Sequence, residues 1–219
     1  MTELRTTFEV PTLRHAEERA DGTGSLVAEG YGVVYDKRSR DLGGFVEEVR
    51  YGSAAKTVQE ADVRALVNHD PSMLLGRTGA GTLRLEDREA GLFYSIDLPD
   101  TTLGRDTAKL LERGDYPGSS FGFRALGDEW TETEDGRPLR ILTEFALRDV
   151  GPVAFPAYDD STTGLASLAA KRSMDLAEVR ALADEGNLIE AVRHVVPTED
   201  EDEGRCEAPS TLWVPKRYF

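Results

Sequence analysis

The sequence predicts an α+β protein that is mainly β, built as a partly closed antiparallel β-barrel with surrounding helices. Three observations carry this. Short alternating runs bounded by turn residues recur, as in Thr82-Leu83-Arg84-Leu85-Glu86 and Leu92 to Leu98. Only two or three helical patterns interrupt them. Those helices do not alternate regularly with strands, so a parallel doubly wound sheet is not expected.

Taken in order, residues 5 to 35 read as short extended pieces broken by turns. The run from Glu18 to Gly24, with Asp21-Gly22, is a hairpin connection, and Gly30 to Tyr35 is a strand. Phe45 to Val49 is another. Thr57 to Val67 carries Val58, Val63, Leu66 and Val67 among charged residues, which predicts a short amphipathic helix. That helix runs into Asn68-His69-Asp70-Pro71, where Pro71 disfavours helix at Asp70. Asp87 to Gly91 is the turn between two paired strands. Thr101 to Arg113 is a helix with Leu103, Ala108, Leu110 and Leu111 on one side and Gly114 as its stop. Ser119 to Leu126, Trp130 to Glu134 and Leu139 to Val150 are further strands, the last two joined at Asp135-Gly136. Beyond Pro156 the texture changes. Asp159 to Gly164 is linker-like, Leu176 to Val196 is helix broken near Gly186-Asn187, and Glu199 to Glu203 is a solvated acidic run. The expected division is a domain over residues 1–165 and a helical, then acidic and partly disordered tail over residues 166–219.

Composition narrows the function. The chain has 219 residues, 39% of them hydrophobic and 31% charged, with a formal net charge of -15. That length buries a real core without staples. A mean field of that sign repels phosphate, so no nucleic-acid partner is expected. No run approaches the ~20 apolar residues of a membrane span, and MTELRTTFEV lacks the apolar core of a signal peptide. Cys206 is the single cysteine, which leaves no intramolecular disulfide and fits a reducing, cytoplasmic compartment.

Three histidines exist, His15, His69 and His194, and histidine is the commonest general base near neutral pH. His15 lies in a charged N-terminal segment and His194 in the tail. His69, where a helix ends in a turn, is placed to present its ring into a cleft, although a loop histidine is more often a plain surface residue. Gly118-Ser119-Ser120-Phe121-Gly122 puts Ser120 in a G-x-S-x-G frame. Gly and Ser cluster at turns for conformational reasons alone. The frame also matches the nucleophile elbow of α/β-hydrolases, which needs an acid and then a histidine after the serine on a parallel sheet. Only His194 follows Ser120, and the β texture is wrong, so the elbow is rejected. The order His69 then Ser120 is allowed, because a triad is defined by geometry. For the orienting acid, Glu144 and Asp149 are both candidates, and strand alternation places them on opposite faces. No H-E-x-x-H, cysteine pair or phosphate-binding loop is present, so neither metal nor cofactor is expected.

The ordered blocks Gly43-Gly44-Phe45-Val46-Glu47, Leu66-Val67-Asn68-His69-Asp70, Leu75-Gly76-Arg77-Thr78, Gly91-Leu92-Phe93-Tyr94, Leu98-Pro99-Asp100-Thr101, Ser119-Ser120-Phe121-Gly122-Phe123 and Val153-Ala154-Phe155-Pro156-Ala157 resemble the caudovirus prohead proteases. The resemblance covers roughly residues 28 to 160. The resemblance implies a herpesvirus-assemblin type of barrel and a serine endopeptidase that cleaves the scaffold part of capsid proteins, and itself, during prohead maturation. It implies His69 as base and Ser120 as nucleophile. In the assemblins the third group is a histidine beginning a strand, and Glu144 stands at the similar position here. This puts Glu144 first and Asp149 second. The same comparison implies oxyanion donors at the backbone of Gly151 and Val153, since Pro152 has no N–H.

The implied partners are the major capsid protein or a scaffold protein as substrate, and the chain itself, through autocleavage or as a homo-oligomer. The implied place is the bacterial host cytoplasm, inside assembling phage proheads. The rival readings are a non-enzymatic capsid scaffold or assembly factor on the same fold, and an α/β-hydrolase-type esterase that depends on His194.

Overall fold

The computed structural model describes residues 2–15, 26–155 and 162–194. Its strands are β1 (Glu3–Thr7), β2 (Thr12–His15), β3 (Leu26–Val34), β4 (Val46–Val49), β5 (Arg64–Leu66), β6 (Leu74–Arg77), β7 (Leu83–Arg88), β8 (Gly91–Asp97), β9 (Gly118–Glu132) and β10 (Pro138–Val153). Its helices are α1 (Ala55–Glu60), α2 (Thr102–Arg113), α3 (Thr162–Arg172), α4 (Leu176–Asp184) and α5 (Leu188–Arg193).

The strands form two sheets. One has six strands in the order β1-β9-β10-β5-β6, with β4 also paired to β10, and the other runs β2-β3-β8-β7. Neither closes on itself, so the architecture is mixed α+β and mainly strands, as expected, with two open sheets where the sequence pointed to a partly closed barrel. The long strand β10 explains why. β9 runs antiparallel along one side of it, while β4 and then β5 pair with its other side in parallel. Parallel neighbours divert the sheet from a simple up-and-down closure. Val33, Leu92, Tyr94 and Ile96 from the smaller sheet and Phe121, Phe123, Leu142, Phe145 and Val150 from the larger one share one buried core.

The local patterns account for most elements. The alternation at 83–98 forms the β7–β8 hairpin in register. Thr101 caps α2 by accepting a hydrogen bond from Gly104 N–H at 3.2 Å, and Gly114 ends it in the left-handed conformation. Residues 118–132 form one strand rather than two, with Gly127 opposite Glu144 at an irregularity in the ladder. The helix expected over 57–67 stops at Glu60. Val63, Ala65 and Val67 are fully buried while Arg64 is exposed, which is the period of a strand. Pairing of Arg64 and Ala65 with Asp149 and Val150 decides the matter, because tertiary pairing overrides weak local propensity. The expected hairpin turn at 18–24 and the acidic run at 199–203 lie outside the described residues. β2 and β3 pair antiparallel with His15 opposite Leu26.

Two features flank the core. Helices α3 to α5 bury Leu165, Leu168, Val179, Leu188 and Val192 against Leu42, Phe45 and Trp130. The boundary expected near residue 165 therefore falls inside α3. On the interior side of β1, where apolar residues would be ordinary, the chain buries ions instead. Arg140 donates to Glu3 at 2.6 Å, to Glu47 at 2.9 Å and to Asp128 at 2.7 Å, and Arg5 donates to Glu47 at 2.8 Å. Lys171 of α3 adds a contact to Asp128 at 3.2 Å. Arg140 is wholly buried.

Candidate active site

Ser119 and Ser120 are adjacent on β9, so their side chains point to opposite faces. Ser119 turns into the core, where its hydroxyl meets Tyr94 Oη at 2.8 Å. Ser120 turns to the other face. There its Oγ lies 2.6 Å from His69 Nε2 and donates to the Arg5 carbonyl at 2.7 Å.

His69 reaches this face from the loop between β5 and β6. Asn68 and His69 both have left-handed backbones, with φ of 53° and 59°, a conformation that costs non-glycine residues about 1–2 kcal/mol each. The neighbours hold it. Asn68 N–H donates to the Pro152 carbonyl at 3.1 Å, and its Oδ1 accepts from Ala154 N–H at 2.8 Å. Asp70 closes the turn, its Oδ1 accepting from the Ser72 N–H at 2.8 Å and the Ser72 hydroxyl at 2.7 Å. These bonds hold the Asp70 carboxyl below its usual pKa. In the run Asn-His-Asp, then, the two flanking residues staple and close the loop that offers the imidazole.

On its far side His69 Nδ1 donates to Asp149 Oδ1. A β-bulge brings that carboxylate around. Leu147 pairs with Phe123 and Asp149 with Gly122, so one extra residue, Arg148, sits between two neighbouring register steps. Leu147 stays on the core face and Asp149 passes to the face of Ser120. Gly122 is required there, since a methyl at its Cα would overlap Asp149 Oδ2. The three side chains thus form one hydrogen-bonded series, Asp149 to His69 to Ser120, with His69 and Asp149 only 16% and 14% exposed.

The other expected residues lie elsewhere. Glu144, ranked ahead of Asp149 from sequence, is not in this series. It pairs with Lys56 at 3.5 Å, its side chain 43% exposed, about 16 Å along β10 from Asp149 at ~3.3 Å per residue. Gly151 and Val153 lie opposite Ser120 and Gly118 in the β9 ladder. The Pro152 carbonyl faces Asn68, so the alternation of an antiparallel ladder turns the N–H groups of Gly151 and Val153 toward β9 rather than into the cleft. What Gly151 supplies is space, because a methyl there would overlap the Leu66 carbonyl. His15 ends β2, and His194 follows α5. The sequence reading missed the Arg5 carbonyl, for which a backbone contact leaves no side-chain signal. It also missed the need for Gly122, which the motif did contain. Among the described residues no cluster of three or more His, Cys, Asp or Glu side chains could hold a metal ion, and no helix is long and apolar enough to cross a membrane.

No curated protein matches the chain. Among solved structures the bacteriophage T4 capsid assembly protease, gp21, is similar to it, with a TM-score of 0.49 and 17% identity over 69% of this chain and 96% of that one. The sequence profile of the caudovirus prohead serine proteases matches residues 13–178, which include His69, Ser120 and Asp149. The chain belongs to the caudovirus prohead serine protease family.

Proposed function

We propose that Ser120 is the nucleophile of this serine endopeptidase, His69 its general base and Asp149 the group that orients and steadies the imidazole. The unbroken series from Asp149 through His69 to Ser120 supports this reading. A serine hydroxyl becomes an adequate nucleophile only when a base removes its proton as it attacks. The single hydroxyl proton has two acceptors in reach, His69 Nε2 and the Arg5 carbonyl, and attack proceeds from the arrangement in which Nε2 holds it. The carboxylate fixes the tautomer with the proton on Nδ1, leaving Nε2 to accept, and stabilises the imidazolium that forms. His69 then returns the proton to the leaving amine, and water releases the acyl-enzyme.

The same proposal assigns as substrates the scaffold part of the capsid protein or a separate scaffold, and this chain itself, inside assembling proheads within the host cell. The strands carry the catalytic unit, and helices α3 to α5 pack beside it against Leu42, Phe45 and Trp130. Kinship with the herpesvirus assemblins belongs to this proposal too, supported by a serine on a strand facing a histidine from a loop. The test is co-expression with the cognate capsid protein, read by intact mass. Wild type should shorten the scaffold segment. Ser120→Ala and His69→Ala should leave it whole while still folding. Unchanged processing in Ser120→Ala would remove the proposal and leave a non-enzymatic assembly factor.

A further inference from the structure

Beside Ser120 lies a pocket of about 220 Å³, below the ~300–1,000 Å³ of clefts that swallow a whole small ligand. It has room for a side chain or two. Apart from Asn68, His69 and Ser120 it is lined by Leu4, Thr6, Val153 and Phe155, none of them charged. Their placement follows from the sheet. Thr6 pairs with Ser120 and Leu4 with Gly122, so both side chains share the face of the Ser120 hydroxyl. The sheet order sets β1 on one side of β9, while His69 arrives from the opposite side, beyond β10. Phe155 is part of the lining with 77% of its surface exposed, the most exposed large apolar side chain among the described residues.

We infer that this pocket receives the substrate side chain on the acyl side of the scissile bond, and that it selects an uncharged aliphatic one, with Leu4 as the principal residue reading it. The inference rests on the serine-protease reading above. The leaving amine must sit over His69 Nε2, which protonates it, so the acyl half extends away from His69 toward β1. A charged side chain entering there would lose its water and find no opposite charge. An aliphatic one gains contact, and each methylene in such a pocket is worth about 10–200-fold in kcat/KM.

The experiment separates the two layers. A fluorophosphonate probe is first applied to the full chain. Labelling that vanishes in Ser120→Ala upholds the nucleophile, and absent labelling overturns that reading and this inference with it. An unlabelled portion of the same preparation is then profiled on a mixed peptide library by mass spectrometry. Wild type should cut after aliphatic residues at least ~10²-fold better than after Asp, Glu, Lys or Arg. Leu4→Lys should raise the ratio of kcat/KM for Glu over Leu at that position at least ~10-fold, a ratio indifferent to how much of the preparation is active. Phe155→Ala, on the exposed rim, should narrow the wild-type preference for larger aliphatic side chains over alanine. Normal labelling with cleavage after charged residues would overturn the inference alone. So would normal labelling with preferences unmoved in both variants.

Discussion

Asp149 reaches His69 only because position 122 has no side chain. Gly122→Ala would push a methyl into Oδ2 of the carboxylate and displace it from Nδ1. A misplacement of about 1 Å costs on the order of 10²-fold in rate, so the fluorophosphonate labelling rate should fall by about that factor. Asp149→Asn, which disturbs the tautomer, should lower peptide kcat by roughly 10⁴-fold. Glu144→Gln should leave kcat within about twofold of wild type, because its carboxylate meets Lys56 at a partly exposed site. The histidine and the serine were singled out in sequence by elimination among three histidines and by the ordered family blocks around Asn68-His69-Asp70 and Ser119-Ser120-Phe121-Gly122, since a loop histidine or a Gly-Ser cluster alone says little. The acid was not. Strict alternation puts Leu147 and Asp149 on one face, and the bulge at Arg148 reverses that parity without any marker in the residues around it.

At the scale of elements, the histidine loop is held by contacts that a substitution can take apart. Asn68→Ala removes the bond to Ala154 N–H and leaves a poorer residue in a left-handed conformation. Asn68→Gly removes the same bond and relieves the backbone. Alanine should therefore cost about 1–2 kcal/mol more stability than glycine in urea denaturation. Both should slow labelling, because the loop keeps its backbone bond to Pro152 but loses the side-chain bond to Ala154 N–H. Equal stabilities would mean that the backbone conformation costs nothing here. The segment before this loop shows where element reading runs out. Val63, Leu66 and Val67 fit a helical spacing, yet Val63, Ala65 and Val67 fit a strand as well. Only β10, more than eighty residues further along the chain, chooses between them. By contrast α2 was legible to its ends, since Thr101 and Gly114 carry the start and stop signals in their own chemistry.

For the molecule as a whole, the ion cluster under β1 is the feature that no pattern announced. Glu3, Arg5, Glu47, Asp128 and Arg140 come from four strands and read in sequence as ordinary surface charges. Removing Arg140 leaves three buried carboxylates with lost partners, so Arg140→Met should cost about 3–5 kcal/mol. It should also loosen β1 from the sheet. Burial by itself would raise the pKa of Asp128, but hydrogen bonds from Ser167, Arg140 and Lys171, together with the charge of Arg140, outweigh it and hold the carboxyl below its usual range. A carboxyl depressed in the folded state adds stability above its unfolded pKa of about 3.9 and loses that contribution as pH falls through the folded value. The urea midpoint of wild type should thus drop steeply below about pH 4, and Asp128→Asn, less stable at neutral pH, should show a shallower fall.

The proposed catalytic constellation draws on residues 5, 69, 120 and 149, with 115 residues separating the Arg5 carbonyl from the hydroxyl it meets. During translation the ribosome releases these pieces one after another. A growing polypeptide that has not yet delivered Asp149 has no orienting carboxylate, whatever it has already folded. A chain whose proposed targets include itself is in this way harmless throughout most of its own synthesis, and its cutting power arrives only when nearly the whole larger sheet can be laid down.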